Sequence, residues 1–250
     1  MSTAESPTVI LLRSADTPDP YVKAFADRGR TAVCVPVLTF RFPFQSPLAD
    51  ALHQTDRYRH LVLTSPRAVR ALDDVLSEHP SLRRPWTQRT AFAVGPKTAA
   101  ALRDLGIAVT GEDAGSADAL VEAIDTASRN GPLLFLSGNR RRDTLPDGLS
   151  DRGISFDEVV VYETRVRTAL ELPPPSVDRW LVFFSPSGLE AVRRTETVDA
   201  SAYRLAAIGP TTAAALETAG LPVDAVAATP SPEPLADALQ DARSTESAPS

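Results

Sequence analysis

The chain carries a long internal repeat. The segment FAVGPKTAAALRDLGIAV (92–109) returns as AAIGPTTAAALETAGLPV (206–223), and LVLTSPRAV (61–69) returns as LVFFSPSGL (181–189). More faintly, Asp27-Arg28-Gly29 leading into Val35–Leu38 is echoed by Asp151-Arg152-Gly153 leading into Val159–Tyr162. Labelled by similarity, the segment order is a-b-c-a′-b′-c′. A period on the order of 100 residues is the size of a domain, whereas solenoid units recur every 20–50 residues. The 250 residues are therefore read as two related domains.

Apolar runs of strand length occur at Val9–Leu12, Ala32–Val37, Leu61–Leu63, Ala91–Val94, Leu133–Leu136, Phe156–Val161, Leu181–Phe184 and Leu205–Ile208. Most are continuous rather than alternating, the pattern of strands covered on both faces. Helical stretches lie between them: Pro20–Arg28, Pro66–Leu76, Pro96–Leu105, Ala117–Ile124, Thr144–Asp151, Ser187–Arg194 and Thr211–Ala219. Strand alternating with helix predicts α/β architecture with parallel sheets. Arg41–Pro47 and Leu172–Pro175 are proline-rich breaks, and the final ten residues, DARSTESAPS, are expected to be unstructured.

Composition removes several function classes. One cysteine, Cys34, allows no intramolecular disulfide, and with three histidines it makes a Cys/His zinc site implausible. A net charge of −6 argues against a broad nucleic-acid surface. No run approaches the ~20 apolar residues of a membrane span, and the N-terminus lacks the basic region of a secretory signal. A cytoplasmic protein is expected. Only Lys23 and Lys97 among the 26 cationic residues are lysines. Genomic base composition explains that bias as well as any use of arginine's planar fork on carboxylates.

The repeated motifs place chemistry at helix starts. Ser65-Pro66 and Ser185-Pro186 each follow a strand, with serine suited to an N-cap and proline to the first helical position. Gly95-Pro96 and Gly209-Pro210 repeat the arrangement, with Thr98, Thr211 and Thr212 just inside the helices. Four helix N-termini at strand carboxyl ends suit anions, with Thr64, Ser65, Thr98, Ser187, Thr211 and Thr212 as further donors. The bland alternative is that such turns merely start helices. Neither the lysine-containing phosphate loop nor the spaced-glycine dinucleotide fingerprint is present. After the strand at 133–136, Ser137-Gly138-Asn139 is a turn leading to Arg140, Arg141 and Arg142, either a solvated face or a carboxylate site. Arg13 and Arg67 occupy comparable positions. His53, His60 and His79 are scattered and read as surface residues, and Cys34, inside an apolar strand, reads as inert. Tyr162 ends the run Val159–Val161 near a domain junction, as a packing residue or as a chemical group.

These motifs together resemble the uroporphyrinogen-III synthase family. The match is carried by DPYVKAF (19–25), PVLTF (36–40), LTSPRAV (63–69), AVGPKTA (93–99), SGNRRRDTLP (137–146), VVYET (160–164), FFSPSGL (183–189) and AAIGPTTAAALETAGLPV (206–223), in family order over residues 9–239. The resemblance implies two flavodoxin-like parallel-sheet domains joined by a two-stranded linker, with a ligand cleft between them. Residues 1–37 and 168–250 would form the first domain, 44–160 the second, and 38–43 with 161–167 the linker strands. Segment a would then pack with b′ and c′, and a′ with b and c.

The implied reaction cyclises hydroxymethylbilane, a linear tetrapyrrole with eight carboxylates, to uroporphyrinogen III. Ring D is inverted and water is lost, without cofactor or metal. On this resemblance Tyr162 is the catalytic residue. The substrate-binding set is Arg13, Thr64, Ser65, Arg67, Lys97, Thr98, Gly138, Asn139, Arg140, Ser185, Ser187, Gly188, Pro210, Thr211 and Thr212. A monomer is expected, in transient contact with the enzyme that makes hydroxymethylbilane and with no nucleic-acid or membrane partner. Lys97 stands where the other repeat has Thr211, so two-fold symmetry of the site is not implied. The competing reading is a bilobal α/β protein that binds an anionic small molecule without catalysis.

Overall fold

The structure, a computed structural model, describes residues 8–127 and 131–246. The chain divides into two compact units. Phe40–Thr164 forms a continuous unit, and the segments up to Thr39 and from Arg165 onward form a discontinuous one.

The discontinuous unit opens with β1 (Val9–Leu12), α1 (Pro20–Ala26) and β2 (Ala32–Cys34). The unit boundary falls within β3 (Leu38–Arg41). The continuous unit then runs through α2 (Gln45–His53), β4 (Leu61–Leu63), α3 (Pro66–Glu78), α4 (Pro80–Thr87), β5 (Thr90–Ala93) and α5 (Pro96–Asp104). It continues with β6 (Ala108–Thr110), α6 (Ala117–Ala127), β7 (Leu133–Gly138) and α7 (Thr144–Asp151). The second boundary falls within β8 (Phe156–Val166), after which come β9 (Trp180–Phe183), α8 (Pro186–Arg194), β10 (Arg204–Ala207), α9 (Pro210–Thr218), β11 (Ala225–Val226) and α10 (Pro232–Glu246).

Each unit has its own sheet. The order is β11-β10-β9-β1-β2 in the discontinuous unit and β3-β8-β7-β4-β5-β6 in the continuous one. The pairs around β1 and around β4 and β7 are parallel, with Val9 opposite Trp180 and Leu61 opposite Leu134. Segment a therefore shares a sheet with b′ and c′, and a′ shares one with b and c. β1, β4, β7 and β9 are buried throughout. The two-residue period of a strand sends Leu134 and Leu136 into one core cluster and Leu133 and Phe135 into another. That two-sided burial is why the apolar runs do not alternate.

The helices follow their sequence signals. In α3, Ala68, Val69, Leu72, Val75 and Leu76 are buried at helical spacing, and Ser65 Oγ accepts the N–H of Arg67 as an N-cap. Several segments differ from the sequence reading, including the short strands β6 and β11, which its apolar runs do not contain. α2 begins inside the proline-rich break, because Pro47 sits in its first turn, where a missing N–H leaves no hydrogen bond unmade. α4 starts at Pro80 directly after α3 and buries Leu82 and Trp86. α10 extends to Glu246, because Leu235, Ala236 and Leu239 anchor it and the helix propagates beyond them; residues 247–250 lie outside the described residues. β8 is also longer than its apolar run, so the last strand of the continuous unit and the crossing segment are one strand.

Candidate functional site

The carboxyl ends of β4, β5 and β7 in the continuous unit, together with Tyr162 of β8, border a cavity of about 590 Å³. Thr64 and Ser65 follow β4, Val94 follows β5, Gly138 ends β7, and Arg140, Arg141 and Arg142 come next; all line it with Tyr162. Phe135, Val94 and Leu145 supply an apolar portion. Open parallel sheets place ligands at this edge, where strands end and helix N-termini begin.

The three arginines have separate roles. Arg141 is held by Glu158 through Nε at 2.6 Å and Nη2 at 2.9 Å, and also by Asp143. The Arg141 guanidinium holds the Glu158 carboxyl below its ordinary value against the opposing effect of burial. Arg140 and Arg142 line the same cavity without a hydrogen bond or ion pair among the described residues. One arginine is thus an anchor, and two remain available for a ligand's carboxylates.

Tyr162 is half-buried at a bulge. Ser137 pairs with Val160 but Gly138 pairs with Tyr162, so β8 carries one extra residue there. The bulge breaks strict alternation, and Val159, Val161 and Tyr162 all contact the same core cluster. The ring lies 6.4 Å from that of Phe42. Its hydroxyl makes no hydrogen bond among the described residues. An aromatic ring held by core contacts with a free phenol at a cavity wall can donate a hydrogen bond to a bound ligand.

Other proposed binding residues sit elsewhere. Asn139 does not line the cavity; its Oδ1 accepts the Thr164 N–H at 2.8 Å, and its own N–H donates to the Tyr162 carbonyl at 3.1 Å. Arg67 stacks on Phe40 with the guanidinium carbon 3.6 Å from the ring centroid. Lys97 is exposed and Thr98 buried at the start of α5, neither lining the cavity. Gly95, which precedes that helix, has φ of 83°, a backbone region that favours glycine.

In the discontinuous unit the same edge is arranged differently. Arg13 donates to Asp19 at 2.7 Å and to Asp16 at 2.8 Å, and its guanidinium lies over Tyr21 and Phe184. Asp19 also accepts the N–H groups of Tyr21 and Val22 as the N-cap of α1. Burial works to raise its pKa, but the N–H groups of Asp16 and Val22, the Arg13 charge and the Tyr21 N–H outweigh it and hold the carboxyl below its ordinary value. An internal carboxylate therefore occupies this helix start. Ser185 and Gly209 precede α8 and α9 without any side-chain cap, leaving Ser187 exposed in part and Pro210 and Thr211 exposed at those starts. Thr212 is buried, and Gly188 packs against Phe183 and Leu12, where a Cβ would sit 3.4 Å from the phenyl ring.

Cys34 is half-buried beside Asp19, its thiol pushed up to about 11 by burial and then by the Asp19 charge. It fits the inert reading. The sequence reading missed Ser116 and Asp118, at the start of α6, and Thr144, which line the cavity. Ser116 Oγ accepts the Ala119 N–H, so a Ser-Ala-Asp helix-start signal was available. Among the described residues no helix is long and apolar enough to cross a membrane.

The uroporphyrinogen-III synthase HemD family model matches residues 19–237. A uroporphyrinogen-III synthase of Schizosaccharomyces pombe is 32% identical over 93% of this chain and 96% of its own length. One of Saccharomyces cerevisiae is 28% identical over 96% and 98%. Among solved structures, the uroporphyrinogen-III synthetase of Helicobacter pylori shares the fold with a TM-score of 0.61 at 22% identity, covering 96% of this chain and all of the other. A mutant uroporphyrinogen III synthase of Thermus thermophilus shares it with a TM-score of 0.53 at 16% identity, covering 95% and 99%. Matched by a family model over most of its length and by a relative aligned nearly end to end, this chain belongs to the uroporphyrinogen-III synthase family.

Proposed function

We propose that this protein cyclises hydroxymethylbilane to uroporphyrinogen III, a lyase reaction that turns over ring D and releases water. The observation that carries the site assignment is the cavity of the continuous unit, lined beside an apolar wall by a phenol and two arginines that have no hydrogen-bond or ion-pair partner among the described residues. Arg140 and Arg142 bind carboxylates of the substrate. Tyr162 hydrogen-bonds to the departing hydroxyl, whose C–O bond breaks as the pyrrole nitrogen lone pair forms an azafulvene. A substituted carbon of ring D then attacks to give a spiro intermediate, which fragments and recloses with that ring inverted; the lost proton and hydroxide leave as water. An electron-rich pyrrole needs only modest acid assistance, and a phenol is a weak acid, so holding the chain in a productive geometry supplies much of the acceleration.

The uncapped starts of α8 and α9, with Ser187 and Thr211, bind further carboxylates in this reading, through backbone N–H groups and hydroxyls, while the buried Thr212 supports the start of α9 from behind. The protein acts as a cytoplasmic monomer that receives its unstable substrate from the enzyme producing it. The test is to supply hydroxymethylbilane, oxidise the products and separate isomers I and III. Isomer III is expected. Accumulation of isomer I alone, at the spontaneous rate, would replace the enzyme reading with ligand binding.

A further inference from the structure

We infer that Gly138 and Asn139 are positioning residues for the Tyr162 phenol, the glycine by leaving the space in which the ring lies and the asparagine by tying down the backbone that carries it. The inference rests on the reading of Tyr162 as the group that assists hydroxyl departure.

A Cβ at Gly138 would sit 2.4 Å from Tyr162 Cζ, 2.6 Å from its hydroxyl oxygen and 2.7 Å from Cε2. Real Cβ atoms do not approach other atoms so closely, so any other residue at 138 must displace the phenol end of the ring. Gly138 does not have a positive φ, so backbone conformation does not explain the glycine; contact with the ring does. The bulge at this point makes Tyr162 the strand partner of Gly138. On the other side of the pairing, Asn139 bonds β8 both before and after Glu163. Its N–H donates to the Tyr162 carbonyl, its Oδ1 accepts from the Thr164 N–H at 2.8 Å, and its Nδ2 reaches the Thr164 carbonyl at 3.5 Å. The carboxamide thus continues the attachment of β8 to this side of the sheet beyond the end of β7. Neither residue needs to touch a ligand to set where the phenol points.

The experiment compares Gly138→Ala, Tyr162→Phe and the double variant, with Asn139→Ala and Asn139→Asp. Rates are followed by isomer III formation, and ring environment by fluorine NMR of protein labelled with 3-fluorotyrosine, which has four tyrosine signals to resolve. Gly138→Ala is expected to lower kcat roughly tenfold or more, since small misplacements at a reacting centre are costly, with KM within about twofold, and to shift the Tyr162 resonance. Adding Gly138→Ala to Tyr162→Phe is expected to cause little further loss. Asn139→Ala lowers kcat by less, and Asn139→Asp, which keeps the acceptor for Thr164, recovers most of it. Wild-type kcat in Gly138→Ala, an unmoved resonance, or fully additive losses in the double variant would each overturn the inference. Full turnover by Tyr162→Phe would instead remove the catalytic reading of that residue, while the resonance shift would still decide whether Gly138 positions the ring. If Gly138→Ala does not fold, pairing it with Tyr162→Leu relieves the contact and restores folding; failure of that pair as well would overturn the inference.

Discussion

The turn after β1 and the turn after β7 begin alike and end differently. Each follows a fully buried central parallel strand, and each presents arginine at the carboxyl edge of its own sheet. After β1, Arg13 meets Asp16 and Asp19, two acids supplied within the same turn, and its charge is neutralised. After β7, Glu158 and Asp143 take up Arg141, and Arg140 and Arg142 have no partner among the described residues. An arginine's position on the fold therefore does not decide whether it binds a ligand. The local supply of carboxylates distinguishes the two turns, because a guanidinium whose charge is already balanced by two acids gains less from a further carboxylate.

The largest effect expected from this contrast is at the phenol beside the unpaired arginines. Tyr162→Phe should lower the rate of isomer III formation by about a hundredfold or more, the usual range for a lost acid–base group. Near-full turnover would break the assignment. Next, Arg140→Ala with Arg142→Ala should raise KM by at least about tenfold, given about 1.5–3 kcal/mol for a hydrogen bond to a charged group. Arg13→Ala should leave KM within about twofold. Equal KM effects at both turns, measured by initial rates, would erase the distinction between them.

A smaller effect separates the turns by stability. Asp19→Ala removes an N-cap and the partner of Arg13, and should cost about 1–2 kcal/mol in urea denaturation. The pH dependence has a definite sign. Asp19 titrates below its ordinary value near 3.8 when folded, so its contribution is complete above that value and fades as pH falls through the lower folded pKa. The variant should accordingly show a shallower loss of stability below about pH 4. Thr212→Ala should give the smallest effect, about threefold in turnover, near the lower end of the roughly 0.5–1.5 kcal/mol of a hydrogen bond, since the hydroxyl is buried. A collapse of turnover with intact binding would move chemistry to the discontinuous unit.

Much of this site was visible in residue patterns. Ser65-Pro66, Gly95-Pro96, Ser185-Pro186 and Gly209-Pro210 are local signals, and all four open helices after strands as expected. The fates of individual side chains were not visible. Asn139 stands in the substrate-binding set that the family resemblance implies, yet its side chain bonds Thr164 of β8, 25 positions away. Ser65 uses its hydroxyl to cap its own helix, whereas Ser185, in the matching motif, does not. Such differences depend on rotamers and through-space partners, which spacing along the chain does not encode. The missed helices have a similar cause: α4 is short and carries an internal proline, and its place depends on burying Trp86, whose indole N–H donates to the Leu52 carbonyl.

From the sequence alone came the duplication, the strand–helix alternation, the parallel sheets and the helix starts at strand ends, all set by local periodicity, capping and turn chemistry. Tertiary structure decided which halves of the repeat share a sheet, which arginines stay unpaired and where the Tyr162 ring lies. The first follows from non-local backbone pairing of β1 with β9 and of β7 with β4. The second is a matter of which carboxylates come within reach of each guanidinium. The third depends on a bulge and a bare glycine backbone meeting across two strands, a contact that neither strand specifies by itself.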